Sequence, residues 1–126
     1  MSGSTPYVLV VDDEAPLREL VVVTLSRLFA CEEAPNGEAA LDRLRAARPA
    51  LVLLDAMLPG RSGLDVLREM RSDEELRDVP VVMLSAWQSE ADVEAALGAG
   101  ANAFLGKPFD PDDLVTAVRR LTGSVE

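Results

Sequence analysis

The sequence predicts a single α/β domain: a five-stranded parallel sheet with helices on both faces. Three observations predict it. Five short apolar runs alternate with stretches whose apolar residues return at helical spacing. The loops between them are short, and strictly alternating strands and helices build a parallel sheet, because parallel strands need crossovers. Hydrophobic residues make up 48% of the 126 residues but aromatics only 4%, so Val, Leu and Ala must fill a tightly packed interior.

The first strand is Tyr7-Val-Leu-Val-Val11, β-branched and bounded by Pro6 and Asp12. Leu17, Leu20, Val21, Thr24, Leu25 and Leu28 then recur as one apolar stripe, which predicts a helix. Residues 31–34 form a weaker second strand. Asn36 caps a helix that buries Ala40, Leu41 and Leu44 and runs to Ala47, before Pro49. Leu51-Val-Leu-Leu54 is the third strand, closed by Asp55 and the turn Pro59-Gly60. A helix over 63–70 uses Val66, Leu67 and Met70. Residues 79–84 make the fourth strand, with Pro80 near its start, where a missing N–H is tolerated. Residues 90–97 are helical, stopped by Gly98 and Gly100. Residues 103–105 form the fifth strand. Asp110 caps the last helix, with Pro111 at its first position and Leu114, Ala117, Val118 and Leu121 inward. The whole reads as one domain over 1–126, with a core of about 6–122 and flexible ends at 1–5 and 123–126.

Charge narrows the function classes. Twelve Lys and Arg stand against 22 Asp and Glu, a formal net charge of −10. Direct nucleic-acid binding is not expected, since it rests on a basic face that neutralises phosphates. Attraction to an anionic membrane is not expected either. No apolar run reaches membrane-span length and no signal-peptide pattern opens the sequence, so a soluble cytoplasmic protein is expected. Cys31 is the only cysteine and histidine is absent, which removes intrachain disulfides, imidazole catalysis and His-ligated zinc.

The polar residues closing the apolar strands carry the chemistry. Asp12 and Asp13 follow the first strand, Asp55 the third and Ser85 the fourth, while Lys107-Pro108 comes soon after the fifth. In open parallel sheets ligands bind at the carboxyl ends of strands, beside the point where strand order reverses. For the flavodoxin-like order 2-1-3-4-5, that point lies between strands one and three, which carry the three aspartates. Three crowded carboxylates repel unless a cation joins them. Mg²⁺ suits a few carboxylates plus water and phosphate. With Lys107 as counter-charge and Ser85 as hydroxyl donor, an ionised carboxylate nucleophile completes a phosphoryl-transfer site without a general base.

Four motifs in order and spacing resemble the receiver domain of bacterial two-component response regulators. They are Val10-Val-Asp-Asp-Glu14, Leu53-Leu-Asp-Ala-Met-Leu-Pro-Gly60, Val82-Met-Leu-Ser-Ala86 and Gly100-Ala-Asn-Ala-Phe-Leu-Gly-Lys-Pro-Phe109. The likeness runs from about Tyr7 to Leu121. It implies a signalling switch in which Asp55 accepts a phosphoryl group from a phosphohistidine on a sensor histidine kinase or histidine phosphotransfer protein. It further implies that Asp12, Asp13, Asp55 and the Met57 backbone carbonyl hold Mg²⁺, with Mn²⁺ as a substitute. Ser85 matches the switch hydroxyl, Phe104 the switch aromatic, and Lys107 the lysine that pairs with Asp55, fixed by a cis bond to Pro108. A downstream target or effector domain would read the face of the fourth helix, fifth strand and fifth helix. The domain would catalyse its own phosphorylation and dephosphorylation and would not be a turnover enzyme. The departures are small. Ser85 replaces the commoner threonine and keeps the hydroxyl. Gly106 replaces a commoner side chain and would loosen the approach to Lys107. Bulky Met57 and Trp87 would flank the route of water to the phosphoryl group.

Plainer roles exist for each residue. Asp12 and Asp13 could cap the first helix and Asp55 could serve the following turn. Ser85 could cap the fourth helix. Lys107 could be a solvated charge, Phe104 ordinary core and Trp87 a half-exposed aromatic. A degenerate receiver acting without phosphorylation is the first alternative function, although such domains usually lose the aspartate, the lysine or an acid kept here. A haloacid-dehalogenase-like phosphatase is the second, but Asp55-Ala-Met57 lacks its second acid. A flavodoxin-like cofactor binder would need a Ser/Thr/Gly-rich loop where Asp12 and Asp13 stand.

Overall fold

The computed structural model describes residues 6–123. Strands and helices alternate without exception: β1 (Tyr7–Val11), α1 (Ala15–Leu25), β2 (Ala30–Ala34), α2 (Gly37–Ala46), β3 (Leu51–Asp55), α3 (Gly63–Ser72), β4 (Val81–Ser85), α4 (Glu90–Gly98), β5 (Ala103–Gly106) and α5 (Pro111–Thr122). All pairings are parallel, in the order β2-β1-β3-β4-β5. Strand order reverses between β1 and β3, as expected for the flavodoxin-like order 2-1-3-4-5.

Period-two alternation in the strands divides the interior in two. Leu9, Val11, Val52, Leu54, Val81 and Met83 pack against α2, α3 and the single buried residue of α4, Ala96. Their neighbours Val8, Val10, Leu51, Leu53, Val82 and Leu84 pack against α1 and α5. Every residue of β1, β3 and β4 is buried, whereas the edge strand β5 is only half-buried. Two central layers of aliphatic side chains thus fix β1 and β3 side by side, and with them the ends where the acids stand.

Several boundaries differ from the sequence expectation. The apolar stripe continues to Leu28, but α1 stops at Leu25, and Leu28 and Phe29 turn back onto the Leu25 carbonyl. The hydroxyls of Thr24 and Ser26 donate to the carbonyls of Leu20 and Val23, a competition that favours helix ends. Leu20, assigned to the inner stripe, is 49% exposed. The fourth strand begins at Val81, because Val79 donates to the Leu76 carbonyl in a turn and Pro80 has no N–H to give. Asn36 and Asp110 cap α2 and α5 as expected. The ends expected to be flexible lie outside the described residues, except Gly123, which closes α5 in the left-handed region at φ 77°. Among the described residues, no helix is long and apolar enough to cross a membrane.

Away from the acids, Arg71 of α3 ties the lower end of the sheet together. Its guanidinium donates to the carbonyls of Gly100, Arg77 and Val79 and to Asn102 Oδ1, at 2.8–3.0 Å. Asn102 Oδ1 in turn accepts from the Val81 N–H at 2.8 Å. Burial holds the Arg71 pKa below its ordinary value, yet the fork of donors keeps every proton engaged. Arg71→Ala is expected to destabilise the fold by about 3 kcal/mol, since charged donors to several carbonyls vanish at once. Urea unfolding followed by circular dichroism measures this.

Candidate functional site

The strand ends deliver the side chains. Asp12 directly follows β1, Asp55 is the last residue of β3 and Ser85 the last of β4. Among the described residues these three are the buried polar or charged ones, at 0%, 3% and 3% exposure. Buried carboxylates without partners are costly, so their surroundings decide their use.

Each buried carboxylate has one oxygen tied to the main chain. Asp12 Oδ1 accepts from the Glu14 N–H at 2.9 Å, and Asp55 Oδ1 from the Met57 N–H at 3.1 Å. Their remaining oxygens meet the Lys107 ammonium, 2.8 Å from Asp12 Oδ2 and 3.4 Å from Asp55 Oδ2. Asp13 is exposed, but one of its oxygens lies within 4.8 Å of an oxygen of Asp12 and of Asp55. Burial raises the Asp55 pKa most; the Met57 N–H and Lys107 pull it down, while Asp12 pushes it further up. For Lys107, burial pulls the pKa down, but hydrogen bonds and charge from Asp12 and Asp55 together outweigh it and leave it raised.

Three carboxylates face one ammonium, so negative charge is in excess where the cleft opens. That cleft, about 200 Å³, is lined by Asp13, Glu14, Asp55, Met57, Ala86 and Lys107. A compact set of hard oxygen donors with surplus negative charge fits a divalent cation, and Mg²⁺ with its retained waters in particular.

The β3–α3 loop closes tightly under Asp55. Gly63 donates its N–H to the Ala56 carbonyl at 3.1 Å, and a Cβ at Gly63 would lie 2.1 Å from the Asp55 carbonyl oxygen. Arg18 supports the other side, a role the sequence did not suggest. It donates to the Asp12 carbonyl at 2.7 Å while its Nε pairs with Glu33 at 2.9 Å. An arginine one turn into an amphipathic helix looks like an ordinary surface charge. No local spacing in the sequence marks it otherwise.

The other singled-out residues gather beside this cleft. Ser85 Oγ accepts from the Trp87 N–H at 3.0 Å. It does not cap α4; Ser89 does, in a reciprocal capping box with Asp92. Phe104 is partly buried against the core under α2, α3 and α4. With Ser85, Leu64, Met57 and Trp87 it lines a mainly apolar cavity of about 230 Å³. Trp87 is 60% exposed and Met57 48%. The Lys107–Pro108 peptide bond is cis.

Comparison with known proteins is consistent across sequence and structure. The family described as "Response regulator receiver domain" matches residues 8–119. The phosphate regulon transcriptional regulatory protein PhoB of Pseudomonas aeruginosa is 42% identical, over 98% of this chain and 55% of the relative. The DNA-binding response regulator MtrA of Mycobacterium leprae is 44% identical, over 89% of this chain and 49% of its own. The chain therefore spans about half the length of these curated relatives. Among solved structures, the receiver domain of the Francisella response regulator 1452 superposes with a TM-score of 0.88 at 26% identity, covering 96% of this chain and 99% of that one. The Vibrio cholerae chemotaxis protein CheY4 gives 0.87 at 28% identity, covering 94% and 99%.

Proposed function

Because this chain belongs to the response regulator receiver domain family, we propose that it is a phosphorylation-operated switch whose phosphoacceptor is Asp55. The observation that carries this is the sharing of one lysine between two buried aspartates, with a third carboxylate alongside. On this reading the receiver is one unit over residues 1–126, and the donor is a phosphohistidine of a sensor kinase or phosphotransfer protein.

An ionised Asp55 oxygen attacks phosphorus in line, the phosphorus–nitrogen bond breaks, and the donor imidazole departs with the electron pair and takes a proton from solvent. Asp12, Asp13, Asp55 and the Met57 carbonyl would hold Mg²⁺, or Mn²⁺ in its place. When bound, the ion neutralises charge on the phosphoryl oxygens. The Lys107 ammonium, freed from half of its duty to Asp55, turns to the new phosphoryl oxygens. Ser85 offers its hydroxyl to the same group and Phe104 moves into the cavity it shares with Ser85, which changes the α4–β5–α5 face. Both arrangements pre-exist, and phosphorylation biases them through differential contacts. Water attack on the acyl phosphate resets the switch, past Met57 and Trp87. The result is a switch that phosphorylates and dephosphorylates itself, with no turnover of outside substrates.

The output is proposed to pass through an effector domain or a separate target. The expectation that the chain makes no direct nucleic-acid contact finds no support in relatives whose names describe DNA-binding and transcriptional regulators.

Incubation with acetyl phosphate and Mg²⁺, followed by intact mass spectrometry, tests the proposal. One added phosphoryl group is expected, and none when EDTA removes the metal. A protein that gains no mass under either condition is a degenerate receiver, and steady hydrolysis of generic phosphomonoesters would point to a phosphatase.

A further inference from the structure

Lys107 is held by its main chain as well as by its ammonium. Its N–H donates to the Ser85 carbonyl at 2.8 Å. Its own carbonyl accepts from Gln88 Nε2 at 2.9 Å. Gln88 belongs to the connection between β4 and α4, so its side chain crosses to the next strand's exit and ties the two loops together.

Gly106 makes this contact possible. A Cβ at that position would stand 2.2 Å from both Cδ and Oε1 of Gln88 and 2.6 Å from Nε2. Its φ is not in the left-handed region, unlike those of Gly60, Gly100 and Gly123, so the backbone here makes no demand for glycine. The space does. The missing side chain at Gly106 does not leave the approach to Lys107 loose: Gln88 fills that space and grips the lysine's peptide.

We propose that Gln88 is a positioning residue for phosphorylation of Asp55, acting through Lys107. It fixes the lysine's main chain so that one ammonium reaches both Asp12 and Asp55, and Gly106 is the partner that admits it. The inference rests on the function proposed above, in which Lys107 stabilises the transferring phosphoryl group.

The test uses the full chain and acetyl phosphate at saturating Mg²⁺. Gln88→Ala is expected to slow phosphorylation about fivefold, the rate equivalent of one ordinary hydrogen bond. Gln88→Glu, of equal length but without the donor, slows it at least as much. Mg²⁺ affinity by calorimetry stays unchanged, since no metal-holding group is touched. Gly106→Ala expels the glutamine and gives the same loss, and adding it to Gln88→Ala gives no further loss. That non-additivity separates a positioning unit from a merely structural one, which would lower Tm and leave the rate intact. Variants with the wild-type rate, additive losses, or a parallel fall in Mg²⁺ affinity each overturn the inference. A wild-type protein that takes up no phosphoryl group overturns the proposed function instead.

Discussion

Asp55→Asn is expected to abolish phosphoryl uptake from acetyl phosphate and, in the absence of metal, to raise Tm at neutral pH. The first effect is the loss of the proposed nucleophile: an amide oxygen offers no anion to attack phosphorus, and neither Asp12, locked by Lys107 and Glu14, nor exposed Asp13 occupies the end of β3. The second follows from burial, which raises the Asp55 pKa in the fold. With the folded pKa above the unfolded one, the folded state binds more protons between the two values, so stability falls as the pH rises through that window. At neutral pH the ionised Asp55 therefore weighs against the metal-free fold, and the amide relieves it. The difference in Tm should shrink as the pH falls below the ordinary carboxylate range, where both proteins carry a neutral group. Mg²⁺ should reverse the order, because a hundredfold excess over its Kd adds about 2.7 kcal/mol to whichever protein binds it. Intact mass spectrometry and thermal melts at several pH values check both halves. An Asp55→Asn protein that still gains a phosphoryl group would remove Asp55 from the mechanism.

Lys107→Ala is expected to slow phosphorylation by about 10²–10³, the usual cost of removing a preorganised charge from a transferring group. Unlike Asp55→Asn, it should also weaken the fold. Two buried carboxylates would lose their shared ammonium, an effect of about 2 kcal/mol once the partial exposure of Lys107 is allowed for. Since its folded pKa is raised, the stability Lys107 contributes is fully present below the ordinary lysine range and is lost as the pH rises through the folded value. Added Mg²⁺ should restore much of the lost stability but not the rate. Urea unfolding with and without metal, paired with phosphorylation kinetics, separates the two. A variant that keeps the wild-type rate would deny Lys107 any part in the chemistry.

Much of this architecture is legible in one sequence because parallel α/β sheets are simple in pattern. Buried strands are built on continuous apolar runs such as Tyr7–Val11 and Leu51–Leu54, so the first polar residue after each run falls at the sheet's carboxyl edge. That places Asp12, Asp55 and Ser85 without any three-dimensional information. What periodicity does not carry is the reach of a long side chain to a distant segment. Arg71 crosses 29 residues to the Gly100 carbonyl, Arg18 grasps the Asp12 peptide, and Gln88 spans 19 residues to Lys107. Each looks like a solvated polar residue in its local context. Nor does the stripe carry the end of α1: Leu28 fits it, but the hydroxyls of Thr24 and Ser26 bond back to the Leu20 and Val23 carbonyls. α4 is legible over 90–97 from its helical residues and the stop at Gly98 and Gly100 although only Ala96 is buried, whereas its cap, the Ser89–Asp92 pair, emerges only in the structure.

The fit of α3 beneath Asp55 has a consequence for how this sequence can vary. Any residue but glycine at position 63 would drive a methyl carbon into the Asp55 carbonyl and the Ala56 backbone, neither of which is a flexible side-chain tip that can swing aside. Every codon change there either is silent or pushes on Asp55, the proposed phosphoacceptor. In a randomised library sorted for function, Gly63 should therefore persist with almost no diversity, while Gly98, which has open space around it, drifts freely.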